Sequence, residues 1–220
     1  MPTLLTKDLG RAPYLPTLAL QERLWQTVVD APTDTAYLVL VEHNPPVITL
    51  GRSAKPEHLL RPREELDRAG IEVHAVGRGG DVTYHGPGQL VAYPIVNVAR
   101  HSSGVRDYVR RLEEALIRVA AAYGLAARRI EKLTGVWTDA GKLAAIGVAI
   151  RRGVSMHGLA LNVNPDLGGF DLIVPCGLHG RQVTSLARLL GRPLTTAEVK
   201  PRLTQCLAEV LEFDSVEPAD

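Results

Sequence analysis

The amino-acid sequence predicts an α+β fold in which mixed sheets are flanked by helices. Runs of aliphatic and β-branched residues follow one another with only short turns between them, and the Arg152-Gly153 break between two runs is typical of a β-hairpin. The helical segments flank these hairpins and do not alternate with single strands, which argues against a doubly wound parallel sheet. No repeat, low-complexity tract or linker divides the 220 residues. We therefore expect residues 1–220 to form one domain.

Helices are predicted where apolar residues recur every three or four positions. The clearest covers residues 105–123, and Gly124 follows it as a C-terminal stop. The other predicted helices cover residues 17–30, 64–69, 186–190 and 196–213. Strands are predicted where short aliphatic or β-branched runs lie between turn-forming residues. These strands cover residues 36–42, 46–50, 71–76, 90–96, 135–138, 142–151 and 154–163.

Composition and charge exclude several classes of protein. Hydrophobic residues make up 45% of the chain and charged residues 22%, the balance of a globular protein rather than a disordered or fibrous one. The formal net charge is only +1, so no nucleic-acid partner is indicated. No apolar run approaches the roughly 20 residues that a membrane helix needs, and no signal-peptide pattern is visible. The 2 cysteines are too few for a disulfide framework, so we expect a cytoplasmic protein without a membrane partner.

A polar, glycine-rich segment, residues 77–89, joins two predicted strands and is the first candidate site. Its glycines would let the backbone approach a ligand closely, and Arg78 and His85 add a fixed cation and a titratable donor. The sequence is not a Walker phosphate loop, and it does not open a helix as a dinucleotide fingerprint does. The simpler interpretation is a loop of tight turns, but the density of polar residues favours a binding segment.

The two cysteines have different surroundings. Cys176 lies in a Pro-Cys-Gly turn, which would project its thiol from a fixed backbone as a nucleophile requires. The alternative is a buried thiol that behaves as a small apolar side chain. Cys206 fits that alternative, because it shares a helical face with aliphatic residues. We therefore expect Cys176 to be reactive and Cys206 to belong to the core.

Lys142 opens a strand of small and aliphatic residues, and taken alone it would be a solvated lysine at a strand end. Two histidines, His157 and His179, could form a zinc site with Cys176. Their spacing matches no recognised zinc pattern, so we expect no metal.

Taken together, these segments resemble the octanoyltransferases of lipoate biosynthesis. The resemblance rests on residues 78–90, 141–147, 157–162 and 175–177, which occur in the family's order, and it extends from about residue 42 to residue 186. It implies a single catalytic domain similar to the catalytic domains of biotin protein ligases and lipoate ligases.

The resemblance also implies a reaction and its partners. Cys176 would accept octanoyl from octanoyl-acyl carrier protein as a thioester, with Lys142 activating the thiol and moving protons. A lysine of an apo lipoyl domain would then take the octanoyl group; such domains occur in the E2 subunits of 2-oxoacid dehydrogenases and in the glycine cleavage H protein. No cofactor is implied. The implied substrate contacts are Arg78, Gly79, Gly80, Asp81, Val82, Thr83, Tyr84, His85, Ala145, Ile146, Gly147, Gly158, Leu159 and Ala160.

Two other functions remain open at this point. An ATP-dependent lipoate or biotin ligase on the same fold would need no cysteine nucleophile. A non-catalytic protein that binds lipoyl domains or acyl carriers would need neither Cys176 nor Lys142. The Pro-Cys-Gly turn favours the transferase.

Overall fold

Two sheets of unequal size build the molecule in a computed structural model that describes residues 2–31, 34–174 and 182–219. The large sheet has the strand order β11-β1-β2-β6-β10-β9-β8-β7, and the small sheet has the order β4-β3-β5. The strands are β1 (Thr3–Ala12), β2 (Thr35–His43), β3 (Val47–Leu50), β4 (Glu72–Ala75), β5 (Val82–His85), β6 (Gln89–Ile95), β7 (Arg128–Ile130), β8 (Leu133–Thr138), β9 (Gly141–Arg151), β10 (Val154–Asn162) and β11 (Ser215–Pro218).

Helices cover both faces of the large sheet. They are α1 (Tyr14–Asp30), α2 (Arg63–Arg68), α3 (Val98–His101), α4 (Val105–Ala122), α5 (Leu186–Leu190) and α6 (Thr196–Val210), with short 3₁₀ turns at Pro56–His58 and Leu167–Leu172. None of the helices in the described ranges is long and apolar enough to pass through a membrane.

The main core lies between the large sheet, α4 and α6. One face of α4 is apolar at helical spacing, and Tyr108, Leu112 and Leu116 on that face are fully buried. Cys206 on α6 is buried in the same cluster, as predicted. Burial raises the pKa of the Cys206 thiol, so this side chain behaves as an apolar core residue.

The opposite face of the large sheet carries α1 and the small sheet. Two connections cross between the sheets, because β2 of the large sheet leads into β3 of the small one and β5 leads back into β6. A second apolar cluster packs α1 on the large sheet, and a third packs α2 and the Leu167–Leu172 turn on the small sheet. The space between the two sheets is where the predicted site residues converge.

The predicted α+β class is confirmed, and so is the hairpin at Arg152-Gly153, since β9 and β10 pair in antiparallel register with Arg151 opposite Val154. The helix predicted at 17–30 begins at Tyr14 instead, and the helix predicted at 196–213 ends at Val210. The sequence analysis did not find β1 or β11. Both are held by parallel pairing with distant strands, β1 with β2 and β11 with β1.

Candidate functional site

A cleft between the two sheets, with about 770 Å³ of free space including its mouth, brings most of the predicted site residues together. Its predicted lining residues are Arg78, Gly80, Asp81, Val82, Thr83, His85, Lys142, Ala145, Ile146, Gly147, Gly158, Leu159 and Ala160. Gly79 and Tyr84 lie just outside it. The Gly79 amide donates to the Val148 carbonyl at 2.8 Å, and the Tyr84 ring packs edge-on against Phe170.

The sheet floor of the cleft is organised in rows across β6, β10 and β9. The first row contains Gln89 opposite Asn162, and the middle row contains Val91, Ala160 and Ala145. The third row contains Gly158 opposite Gly147, with Tyr93 continuing β6 beside them. Successive rows are two residues apart along each strand, so their side chains share one face. The floor is therefore polar in its first row and small and apolar in its middle row.

The β-bulge in β9 turns Lys142 into the cleft. Val136 of β8 pairs with Ala144, but the next residue, Trp137, pairs with Lys142, so β9 has one extra residue there. Such a bulge reverses the alternation of side chains and re-aims the residue beyond it. Lys142 therefore lines the same cleft as Ala145, although three positions separate them.

The Lys142 side chain is 8% exposed and lies against β8. Its Nζ is 5.2 Å from the centroid of the Trp137 ring, a cation–π distance. Glycine is required at Gly135, where φ is +121° and a Cβ would come within 2.5 Å of the Ala144 carbonyl oxygen, and its missing side chain leaves space beside Lys142 Cε. On the backbone, the Lys142 amide donates to the Gln182 carbonyl at 2.9 Å, and its carbonyl accepts from the Thr184 amide at 3.0 Å.

A hydrogen-bond network links the glycine-rich segment to Thr184, whose amide donates to the Lys142 carbonyl. His85 Nδ1 donates to Gln89 Oε1 at 2.6 Å, Gln89 Nε2 donates to Asn162 Oδ1 at 2.9 Å, and Asn162 Nδ2 donates to the Thr184 carbonyl at 3.0 Å. Burial, followed by the nearby His43, lowers the pKa of His85 to about 3. The His85 ring is therefore neutral at neutral pH, with its proton on Nδ1.

Arg78 crosses the cleft near the third row. Its guanidinium donates to the carbonyl and hydroxyl of Thr49 at 2.7 and 2.9 Å, and its Nη1 donates to the Gly79 carbonyl at 3.0 Å. A Cβ at Gly147 would come within 2.9 Å of Arg78 Cδ, and one at Gly51 would come within 2.6 Å of Arg78 Nη1. Glycines on both sides therefore make room for one buried guanidinium.

Comparison with known proteins identifies the family. The model of the lipoyl protein ligase A/B catalytic domain matches residues 13–208. An octanoyltransferase from Chloroflexus aggregans is 48% identical over 219 residues, which cover 98% of each chain. The chain belongs to the octanoyltransferase family.

Solved structures agree with the fold of this octanoyltransferase family member. One match is a structure described as a bi-partite lipoate protein ligase and its E2 lipoyl domain from Thermoplasma acidophilum. Its TM-score is 0.72 at 19% sequence identity, and the match covers 100% of this chain and 87% of the other. A biotin protein ligase from Aquifex aeolicus, in complex with biotin and ATP, matches with a TM-score of 0.58 at 13% identity, covering 94% of this chain and 70% of its own. The predicted similarity to ligase catalytic domains is thus confirmed for the fold.

Cys176, the predicted nucleophile, and His179, considered only as a ligand of the zinc site that we do not expect, lie outside the described residues of this family member, so the role of Cys176 stays a prediction. The structure does describe both flanks of that segment. The Val174 amide donates to the His58 carbonyl at 2.9 Å, and the Gln182 carbonyl accepts the hydrogen bond from the Lys142 amide.

Sequence analysis missed several residues of the cleft, most clearly Tyr14 and Tyr93. Tyr93 lay within a predicted strand, where period-two alternation with Val91 could have placed it on the same face. Tyr14 had no such signal, because the predicted helix began at residue 17. The nearby His43 donates from Nδ1 to the Ala12 carbonyl, so its Nε2 accepts a hydrogen bond from the Tyr93 hydroxyl at 2.7 Å.

Proposed function

We propose that this chain is an acyltransferase that moves octanoyl from octanoyl-acyl carrier protein to the lysine of an apo lipoyl domain through a thioester on Cys176. Membership of the octanoyltransferase family supports the acyl transfer. The observation that carries the proposal is the bulge that turns a buried lysine into a cleft whose next row is small and apolar. That arrangement sets an amine, which can accept a proton and release it again, beside space for an alkyl chain.

The first half-reaction exchanges one thioester for another. The Cys176 thiolate attacks the carbonyl carbon of the phosphopantetheine thioester, a new C–S bond forms, and the old C–S bond breaks. Lys142 accepts the Cys176 proton and delivers it to the departing phosphopantetheine thiolate. Because a thioester replaces a thioester, the acyl-enzyme keeps the driving force of the donor.

The second half-reaction forms the amide. The lysine amine of the lipoyl domain attacks the acyl carbon, a C–N bond forms, and the C–S bond to Cys176 breaks. The amine loses one proton through Lys142, and the Cys176 thiolate is restored to its thiol. No ATP is consumed in either half-reaction.

The middle row supplies the binding energy for the chain. Val91 and Ala160 are buried, and a saturated chain lying on them and on Ala145 would leave water. Burial is worth roughly 0.8 kcal/mol for each CH₂, so the octanoyl tail contributes several kcal/mol to binding. Bulkier residues in this row would occupy the space that the chain needs.

The deciding experiment uses purified protein, octanoyl-acyl carrier protein and an apo lipoyl domain, without ATP or Mg²⁺. Intact-mass measurement should show one octanoyl group on the enzyme and then on the lipoyl domain. Cys176→Ala should remove both products, whereas the matched Cys206→Ala should keep them. Transfer only with ATP and free octanoate would identify a ligase instead, and binding without transfer would identify a carrier protein.

A further inference from the structure

The far end of the cleft, defined here by Tyr14, Tyr93 and Arg78, is polar, in contrast to the middle row. Two of its polar groups are occupied within the protein. The Tyr93 hydroxyl donates to His43 Nε2 at 2.7 Å, and Arg78 donates to the Thr49 carbonyl at 2.7 Å. Tyr14 is the exception.

Tyr14 lies at the start of α1, lines the cleft and is 1% exposed. Its ring is fixed between two imidazoles, stacked on His74 at a centroid distance of 5.5 Å and edge-on to His43 at 5.3 Å. Within the described part of the chain, the Tyr14 hydroxyl has no hydrogen-bond partner. Burial raises its pKa to about 12, so the hydroxyl keeps its proton and is available as a donor.

We propose that Tyr14 recognises the ω end of the acyl group, and that the cleft accepts acyl chains of about octanoyl length with a hydrogen-bond acceptor, such as a hydroxyl oxygen, on the last carbon. The inference rests on the proposed function, because it takes the acyl carbonyl to react near Lys142.

The length of the cleft places the ω end near Tyr14. From Asn162 in the first row to Gly158 in the third, β10 advances four residues, about 13 Å at the strand rise of roughly 3.3 Å per residue. An extended octanoyl chain is a few ångströms shorter than this span, so a chain whose carbonyl lies beside the first row crosses the middle row and brings its last carbon towards the third row without filling it. Tyr14 lines the cleft beside His43, which connects it to the third row through the hydrogen bond that His43 Nε2 accepts from Tyr93.

The chemistry of the far end favours an acceptor over a methyl group. A terminal methyl leaves the phenol proton buried without a partner, which is unfavourable for a hydroxyl removed from water. A terminal oxygen accepts a hydrogen bond from the Tyr14 hydroxyl. A site with a hydrogen-bonding group for a substrate atom discriminates strongly against analogues that lack the atom.

The test compares two acyl carrier protein donors, 8-hydroxyoctanoyl and nonanoyl, which differ only in a terminal hydroxyl or methyl. The wild-type enzyme should use the hydroxylated donor with a kcat/KM at least equal to that for nonanoyl. In Tyr14→Phe, the ratio of kcat/KM for 8-hydroxyoctanoyl to kcat/KM for nonanoyl should fall by about tenfold or more, since the phenol that donates the hydrogen bond is lost. The matched control is Tyr123→Phe, whose hydroxyl donates to the Glu198 carbonyl on the α4 side, and it should leave the ratio unchanged.

Equal ratios in the wild type and Tyr14→Phe would overturn the inference, as would a tenfold preference of the wild type for nonanoyl. The second result does not require the variant to fold. Calorimetric binding of nonanoic and 8-hydroxyoctanoic acids to both proteins gives the same ratio without turnover. Absence of transfer from every donor would therefore refute the proposed function, while the binding ratio would still decide the role of Tyr14.

Discussion

Lys142 owes its position to one extra residue in a strand. Without the bulge, alternation along β9 would place Lys142 on the face opposite Ala145, towards the apolar core against α4. The bulge thus converts a residue with no clear sequence signal of its own into a buried cation at a cleft. Gly135 and Trp137 on β8 then determine where its ammonium group lies.

Substitution of Lys142 separates its charge from its ability to carry a proton. Arginine keeps a cation but does not release a proton at any working pH, whereas alanine removes both properties. We expect Lys142→Arg to keep the alkylation of Cys176 by iodoacetamide at low pH, because a nearby cation favours the thiolate. Octanoyl transfer should fall by about 10²-fold in Lys142→Arg, the usual contribution of general acid–base catalysis. Lys142→Ala should lose both the low-pH alkylation of Cys176 and the octanoyl transfer. Identical alkylation profiles and undiminished transfer in all three proteins would reduce Lys142 to a strand-end cation.

At the scale of elements, the cleft depends on close approach of strands β6 and β10. A Cβ at Gly158 would lie 2.2 Å from the Ala92 carbonyl oxygen, a backbone atom that moves only with its strand. Glycine at this position therefore determines the separation of the two strands at the third row.

We expect Gly158→Ala to destabilise the protein by about 1–3 kcal/mol, the usual cost of overpacking, and to impair acyl transfer by disturbing the third row. Urea unfolding and the transfer assay measure these two effects. The matched control is Gly77→Ala, because a Cβ at Gly77 meets nothing within 4 Å. If the two variants were equally stable and active, the strands would have to adjust without cost, and the proposed constraint would be wrong.

The elements that sequence analysis predicted well are those that local pattern determines. The helix at 105–123 and the hairpin at Arg152-Gly153 follow from apolar spacing and a turn signal a few residues long. The strands β11 and β1, the outermost pair at one side of the large sheet, do not, since Thr3 pairs with Ser215 more than 200 residues away. The cleft shows the same division: the glycine-rich segment could be found from its composition, whereas Tyr14 and the bulge at Lys142 depend on how separate elements pack.

At the scale of the whole molecule, three buried histidines that resist protonation lie at the space between the sheets among the residues that the structure describes. Burial is the main cause in each case, and it lowers the pKa of His43 and His157 to about 4 and that of His85 to about 3. An unfolded histidine has a pKa of about 6.5. Between about pH 6.5 and pH 4 the unfolded chain therefore binds protons that the folded chain does not, and stability falls as the pH falls.

We expect the free energy of unfolding to decrease on acidification from pH 6.5 to pH 4, by up to about 1.4 kcal/mol per pH unit for each of the three histidines. Urea unfolding at pH 7, 6 and 5 measures the slope. His157→Asn removes one titrating group at a position with a φ of +57°, which asparagine tolerates. The free energy of unfolding should then change less steeply with pH, by up to about 1.4 kcal/mol per pH unit, the contribution of one proton. A flat profile between pH 6.5 and pH 5 would contradict the prediction. The carboxylates with lowered pKa values, including Glu198, contribute a loss of the same sign at lower pH.

The three-row floor also bears on how acyl preference changes during evolution. In the first row, Gln89 and Asn162 are committed to a hydrogen-bond network, and in the third row a side chain at Gly158 would collide with the backbone of β6. Mutation in either row damages the scaffold before it alters selectivity. The middle row, Val91, Ala160 and Ala145, has neither restriction, so small changes of side-chain volume there can alter the width of the chain's path while the strands stay in place. Laboratory selection for a different acyl group should therefore accumulate its first tolerated substitutions in this row.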